Sequence, residues 1–94
     1  MRLETEESVA RRICELMYVE RKAKKISQQK LCESLNITQG LLSKIENGKL
    51  KPSVYVWLIF CKLFNLSSEI AMSETAARKR ISQVKKNLSK SNKK

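Results

Sequence analysis

The chain has 94 residues and a formal net charge of +11, which comes from 20 Lys and Arg against 9 Asp and Glu. A chain of this length fits one small domain that buries only about 60 to 65% of its unfolded surface, so extra helices or a second copy would add to its core. Two Gly, one Pro and few alternating runs of β-branched residues argue against a sheet-rich fold, and we predict an all-α protein.

The positive charge is concentrated in two segments of the chain. Residues 21–51 carry +6 and residues 74–94 carry +7, whereas residues 1–20 carry −2 and residues 52–73 are neutral. Two basic segments around a neutral one indicate a polyanionic partner, because Lys and Arg that displace counterions from phosphates gain affinity without reading sequence. A basic surface that only keeps the protein soluble is the alternative that charge leaves open.

The three cysteines, Cys14, Cys32 and Cys61, stand beside apolar residues at helical spacing, and the chain has no His. An odd number of Cys without a CxxC pair argues against a disulfide framework or a zinc site, so we expect buried, reduced thiols in a cytoplasmic protein. The longest apolar run, residues 54–61, has eight residues and is too short to cross a bilayer. With no recognisable metal cluster, Gly-rich phosphate loop or nucleophile–base pair, we expect neither a cofactor nor an enzyme.

The first predicted helix begins at Thr5, whose side chain can cap it, and runs to about Lys24. Glu6 and Glu7 place negative charge at the positive end of its dipole. Its predicted apolar stripe consists of Val9, Ile13, Leu16, Met17 and Ala23.

Two short helices with a small polar interruption follow. Ser27 is predicted to cap a helix over residues 28–35, and Thr38 is predicted to cap a second one that ends at residue 46. Asn36 tolerates a left-handed backbone, so the first of the two helices can stop abruptly there. The helical spacing of the apolar residues predicts that four residues of the second helix point away from the core: Gln39, Gly40, Ser43 and Lys44.

The fourth predicted helix, over residues 54–64, is apolar nearly all round. Asn47 and Gly48 end the helix before it, and Pro52 and Ser53 begin it. One of its faces suits the core, with Trp57, Phe60, Cys61 and Phe64.

Its other apolar face needs cover from a second subunit or from the C-terminal segment. Ser67 or Ser68 is predicted to cap that segment as a last helix with its own apolar stripe. We therefore expect a homodimer, and the alternative is that the last helix folds back on its own domain. The predicted dimer interface consists of Val56, Ile59, Leu63, Ile70, Ala77, Ile81, Val84 and Leu88.

Two helices joined by a short turn, the second with small and polar side chains outward, have the form of a helix-turn-helix. Residues 27–67 resemble the Cro and lambda-repressor-like helix-turn-helix domains, also called Xre-like. The departures are Lys25 and Asn36, where Gly is usual, and Trp57 and Phe64, where smaller aliphatics are usual. The resemblance is carried by Gln28, Leu31, Cys32, Asn36, Ile37, Thr38, the segment SKIENGK and the helix KPSVYVWLIFCKLFNLS.

The resemblance implies a five-helix domain, here with an extended C-terminal helix. We assign residues 1–7 to a lead-in, residues 8–67 to a DNA-binding domain, residues 68–90 to an amphipathic helix for dimerisation, and residues 91–94 to a disordered basic tail.

The resemblance also implies that the helix at residues 38–46 enters the major groove of DNA, which its slim outward face allows. The base-reading candidates are Gln39, Gly40, Ser43 and Lys44. The phosphate-binding candidates are Gln28, Thr38, Asn47, Lys49 and Lys51. Arg21 and Glu46 are expected to form a structural salt bridge, since a free carboxylate on that helix would repel phosphate. For the other side chains, an ordinary solvated surface is the alternative.

The function that these expectations favour is sequence-specific transcriptional regulation by a dimer on a two-fold symmetric operator in double-stranded DNA. A repressor from a phage, a mobile element or a restriction-modification locus fits best. One alternative is the DNA-binding antitoxin of a toxin–antitoxin pair, which would have a toxin as partner. Another is a basic protein that coats nucleic acid without sequence choice.

Overall fold

The computed structural model describes residues 5–92, and their side chains as far as residue 88. Residues 1–4 of the predicted lead-in and residues 93 and 94 of the predicted tail lie outside the described residues. Within the described part the chain is all-helical, as predicted, with five α-helices and one 3₁₀ helix. These are α1 (Glu6–Ala23), α2 (Gln28–Leu35), α3 (Gln39–Glu46), α4 (Val54–Phe64), the 3₁₀ helix (Ser68–Met72) and α5 (Glu74–Asn92).

A hydroxyl side chain begins each of the first four helices. In every case the oxygen accepts a hydrogen bond from the backbone N–H three residues later, which satisfies a donor that the helix itself leaves unpaired. Because this signal is local, the sequence predicted all four starts. The caps are Thr5, Ser27, Thr38 and Ser53.

Left-handed backbone follows each of these helices and turns the chain. Asn36 has φ = 60° and Asn65 has φ = 57°, and Gly48, with φ = 75°, turns the chain after α3. Lys25 has φ = 59° in the connection between α1 and α2. There the N–H of Ile26 donates to the carbonyl of Arg21 over 3.2 Å, so α1 ends with a left-handed cap that carries a long side chain.

Helix α1 lies at the centre of the fold and contacts α3, α4, the 3₁₀ helix and, most extensively, α5. Its burial is therefore wider than the single apolar stripe that the sequence predicts. Leu16, Met17 and Val19 are fully enclosed, whereas Val9 and Ile13 are only half-buried.

Helix α4 packs on the core with the predicted face. Trp57, Phe60, Cys61 and Phe64 are buried, and the rings of Phe60 and Phe64 stack with centroids 4.1 Å apart. The indole N–H of Trp57 donates to the carbonyl of Ser68 over 3.0 Å. The prediction of three buried free thiols at Cys14, Cys32 and Cys61 is confirmed. No helix within residues 5–92 has both the length and the apolar character needed to span a membrane.

The C-terminal helix corrects three predictions. It begins at Glu74, because Ser67 caps the 3₁₀ helix and Ser73 caps α5 by accepting a hydrogen bond from the Ala76 N–H. It continues through residues 91 and 92, where a disordered tail was expected.

The third correction concerns the predicted dimer stripe. Helix α5 folds back on α1, and three residues expected to face a second subunit lie instead in the core of their own chain: Ala77, Ile81 and Val84. Ile70 is half-buried against the same core, and Leu88 is half-buried as well. The hydrophobic core therefore runs without interruption across the predicted boundary at residues 67 and 68.

Two ion pairs hold α5 against α1. The Glu20 carboxylate, with its side chain 2% exposed, accepts from Nε and Nη2 of Arg80, the latter over 3.1 Å. Lys85 lies 3.2 Å from Glu15 at the surface. Hydrogen bonding to Glu20 raises the pKa of the Arg80 guanidinium, so this charge persists throughout the neutral range. Neither Glu20 nor Arg80 belongs to the apolar stripe predicted for its helix, so helical spacing alone did not indicate that Glu20 is buried or that the two residues pair.

Candidate nucleic-acid interface

Helix α3 presents a narrow polar ridge to solvent. Leu42 and Ile45 are buried beneath it. Gln39, Gly40 and Lys44 are exposed and Ser43 is half-buried. The helix has eight residues, a length of about 12 Å, and Gly40 and Ser43 keep the middle of its outward side slim, so it fits the major groove.

Gly40 lies in the first turn of α3, where the protein itself does not require a glycine. A Cβ atom built at this position would meet nothing within 4 Å, and its φ is not in the left-handed region. Glycine within a helix costs about 1 kcal/mol relative to alanine. The ridge therefore carries a destabilising residue at an open position on its outer side.

A buried salt bridge supports the ridge from behind. Nε of Arg21 lies 2.7 Å from Oε2 of Glu46, and Nη2 donates to Oε1 over 3.0 Å. Nη1 of Arg21 donates to the carbonyl of Ile26 over 2.7 Å. The Glu46 side chain is 3% exposed, so this pair ties α1 to the end of α3 with little water around it. The structure thus brings together the two residues that the resemblance paired.

Two glutamines continue from this salt bridge to the surface. Nε2 of Gln28 donates to Oε1 of Glu46 over 2.9 Å, and Nε2 of Gln39 donates to Oε1 of Gln28 over 3.4 Å. The sequence predicted Gln28 as a phosphate ligand and did not predict its bond to Glu46. Gln28 and Glu46 are 18 positions apart, so no short sequence pattern indicates that they are in contact. Only the family pattern, which places both residues, could have suggested it.

The remaining phosphate candidates surround α3. Thr38 is exposed, and its oxygen accepts the N–H of Leu41 as the helix cap. Asn47 and Lys49 are exposed just beyond the end of α3. Lys51 is also exposed, and its ammonium lies 3.7 Å from Glu6, a surface pair of little energetic weight.

The model of the helix-turn-helix family, of the Xre and lambda-repressor-like type, matches residues 18–70. The chain belongs to this family. The match covers more than half of the chain and contains α2, α3 and α4, so the resemblance inferred from the sequence is confirmed. The protein is accordingly a DNA-binding helix-turn-helix regulator. Neither the comparison with curated proteins nor the comparison with solved structures found a match.

The helix-turn-helix domain has a second unusual surface on the outer side of α4. Tyr55 is 75% exposed and Leu63 is 52% exposed, and Val54, Leu58 and Ile59 are exposed beside them. Lys62 is the one charged residue in α4. We call this set the α4 face. The sequence predicted Ile59 and Leu63 for it, as well as Val56, which is half-buried. It missed Tyr55 and Leu58, although Tyr55 lies four residues before Ile59 and Leu58 lies three residues after Tyr55, a helical spacing that was a usable signal.

Proposed function

We propose that the protein is a sequence-specific transcriptional regulator that inserts α3 into the major groove of an operator. The observation that supports this most is the exposed ridge of Gln39, Gly40, Ser43 and Lys44 above the buried Arg21–Glu46 pair. An exposed polar ridge on a rigid base is what direct contact with base edges requires.

The phosphate contacts in this proposal come from the ends of the ridge. Gln28 and Thr38 lie at the amino-terminal ends of α2 and α3, where free backbone N–H groups favour anions. Asn47, Lys49 and Lys51 follow α3 in the loop that leads to α4. These contacts would set affinity and register, and the ridge would set sequence preference.

The test of this function is selection of bound duplexes from a random library, followed by measurement of affinity for the selected and a scrambled site. A regulator should bind its consensus on the order of 10³-fold more tightly at moderate salt. Equal affinity for both duplexes would instead support a protein that coats nucleic acid without sequence choice.

We further propose that the regulator acts as a homodimer that pairs through the α4 face. Exposed apolar side chains that are clustered, as they are on the α4 face, are typical of an interaction site, whereas single exposed ones are ordinary. With a two-fold axis near Ile59, Tyr55 of one copy would face Leu63 of the other along antiparallel helices. A two-fold pair would present two α3 helices to the DNA, and the recognition helices of such dimers enter half-sites roughly 34 Å apart, which is one DNA turn.

Sedimentation of the Ile59→Asp variant tests the dimer. The wild type should sediment as a dimer and the variant as a monomer, because two carboxylates would meet near the axis without compensation. Gln83→Asp, which adds the same charge at an exposed position of α5, is the matched control and should remain dimeric. A wild-type monomer, or a dimer that survives Ile59→Asp, would contradict pairing through the α4 face.

Repression is the mode of action that we propose, since a dimer that occupies one turn of DNA over a promoter blocks polymerase by its presence alone. A small regulator of this kind suits a phage, a mobile element or a restriction-modification locus. Transcription in vitro from a promoter that overlaps the selected site should fall as the protein is added. A rise in transcription would identify an activator.

A further inference from the structure

We propose that the groove between α1 and α5 binds a small dianion, either a phosphate monoester or a dicarboxylate. The groove holds a cavity of about 550 Å³, and cavities of roughly 300 to 1,000 Å³ are usual for small ligands. Its lining comes from residues 8–15 of α1 and residues 74–85 of α5. Neither the ridge of α3 nor the α4 face contributes to this lining, so the site is separate from the proposed contacts with DNA and with a second copy.

The two walls of the groove are formed by one face of each helix. Arg11 and Arg12 lie on the α1 wall. Arg78 and Lys85 lie on the α5 wall, and because they are seven positions apart they project from the same side of that helix. Ile81 is buried and adds apolar surface to the lining. The packing of α5 on α1 therefore brings cations from two distant parts of the chain to one cavity.

Positive charge exceeds negative charge in this groove. The lining contains four cations and two carboxylates, which leaves a net charge of +2. Both carboxylates already have a cation of the lining close to them: Glu15 lies 3.2 Å from Lys85, and Glu74 lies 2.9 Å from Arg78. Crowding of like charges is unfavourable unless an anion compensates it. An anionic ligand would provide that compensation.

One cation of the groove is held in place by the fold. Nε of Arg12 donates to the carbonyl of Ala71 over 2.8 Å, and Arg12 is half-buried. Arg11 beside it is exposed and can turn toward a ligand. A guanidinium that is fixed before the ligand arrives loses less entropy on binding. The α1 wall thus combines one fixed and one adjustable donor group.

The chemistry of the lining selects the class of ligand. Arginine forms paired hydrogen bonds with the oxygens of carboxylates and phosphates, and the excess of two positive charges matches a phosphate monoester or a dicarboxylate near neutral pH. Ser8 and Ser82 add hydroxyl groups to the lining, which can donate to the same oxygens. A dianion that touches both walls would therefore fit the groove in charge and in hydrogen bonding.

Duplex DNA is the other anion that a basic groove could contact. The groove lies on the amino-terminal half of α1, whereas α1 supports α3 through Arg21. Arg21 is ten positions beyond Arg11, which is about 15 Å along the helix. The position of the groove therefore favours a small ligand over the DNA that α3 is proposed to contact.

Isothermal titration calorimetry of the full chain without DNA tests this site. The two probes are glycerol 3-phosphate, a phosphate monoester, and succinate, a dicarboxylate, each titrated at constant ionic strength. Ser82→Glu places a carboxylate in the groove at an exposed position. Gln83→Glu is the matched control, because it adds the same charge at the next position of α5, which is exposed and is not part of the lining.

A second pair of variants removes charge instead. Arg11→Gln takes a cation from the groove, and Lys79→Gln takes one from an exposed position of α5 that is not part of the lining. Urea unfolding of all four variants shows that the fold is retained.

We expect the wild type to bind one probe molecule per chain. Ser82→Glu and Arg11→Gln should lower the affinity by about tenfold or more, which is the effect of losing one charge-assisted hydrogen bond. Gln83→Glu and Lys79→Gln should change the affinity by less than about twofold, because exposed charges outside the site act weakly. The probe that binds more tightly identifies the ligand as a phosphate monoester or as a dicarboxylate.

Two results would overturn the site. The first is that neither probe binds at concentrations up to about 10 mM; in that case, weaker binding of Ser82→Glu than of Gln83→Glu to the selected operator would assign the groove to DNA phosphates. The second is that each groove variant binds the probes as tightly as its control, which would place the bound anion elsewhere on this basic protein. Because calorimetry is done without DNA, failure of the proposed function would leave these results unchanged.

Discussion

Replacement of Lys25 by glycine should stabilise the protein. Lys25 is exposed and has φ = 59°, a conformation that costs an L-residue with a Cβ atom about 1 to 2 kcal/mol and costs glycine almost nothing. Glycine also loses about 0.4 to 1 kcal/mol through the greater freedom of the unfolded chain. The net gain for Lys25→Gly should therefore be about 0.5 to 1 kcal/mol in the free energy of unfolding.

The neighbouring lysine provides the control for this prediction. Lys24 has φ = −84°, so Lys24→Gly removes the same charge from the same end of α1 and adds the same freedom to the unfolded chain, but relieves no strain. Urea unfolding followed by Trp57 fluorescence should give Lys25→Gly a free energy of unfolding about 1 to 2 kcal/mol above that of Lys24→Gly. Equal stability of the two variants would refute the assignment of strain to Lys25.

Four further outcomes are expected. Gly40→Ala should raise the free energy of unfolding by about 1 kcal/mol and weaken binding to the selected site; unchanged binding would show that DNA does not approach this position closely. Arg80→Met should lower the free energy of unfolding by about 2 to 3 kcal/mol, because it leaves Glu20 buried and unpaired. This loss is smaller than for a fully buried ion pair, since the Arg80 side chain is 37% exposed. A loss below about 0.5 kcal/mol would contradict the role of the pair. Burial raises the pKa of the Cys61 thiol to about 11, above its value in the unfolded chain. The stability that the buried neutral thiol contributes is therefore complete below about pH 9 and is lost between pH 9 and 11. If the urea midpoint of Cys61→Ala falls equally steeply over this pH range, the loss belongs to other groups. Lys49→Ala should reduce the slope of log affinity against log salt by about one, and an unchanged slope would remove Lys49 from the phosphate contacts.

The sequence predicted the features that depend on a few neighbouring residues. Hydroxyl caps act over three positions, so Thr5, Ser27, Thr38 and Ser53 located four helix starts. The start of α5 was wrong because Ser67, Ser68 and Ser73 are all adequate caps, and the choice among them is made by the packing of the 3₁₀ helix on α1.

Contacts between distant residues were predicted only where the family resemblance supplied them. It paired Arg21 with Glu46, but nothing in the pattern joined Glu20 to Arg80, 60 positions later. Charged residues at helical spacing resemble a solvated face whether or not a partner covers them. In the same way, the periodicity of Ala77, Ile81 and Val84 indicates a buried stripe without saying whether its own domain or a second subunit buries it.

Two of the ion pairs that α1 makes, Glu20–Arg80 and Arg21–Glu46, also bear on how this domain could be transplanted. Glu20 and Arg21 are consecutive, and they join α1 to α5 and to α3 respectively. A cassette cut at residue 70, where the family match ends, would omit Arg80 with the rest of α5. The Glu20 carboxylate would lose its counterion next to the residue that braces the recognition helix, and the side of α1 that packs on α5 would be left uncovered. Grafts of this DNA-binding unit onto other proteins should therefore retain α5.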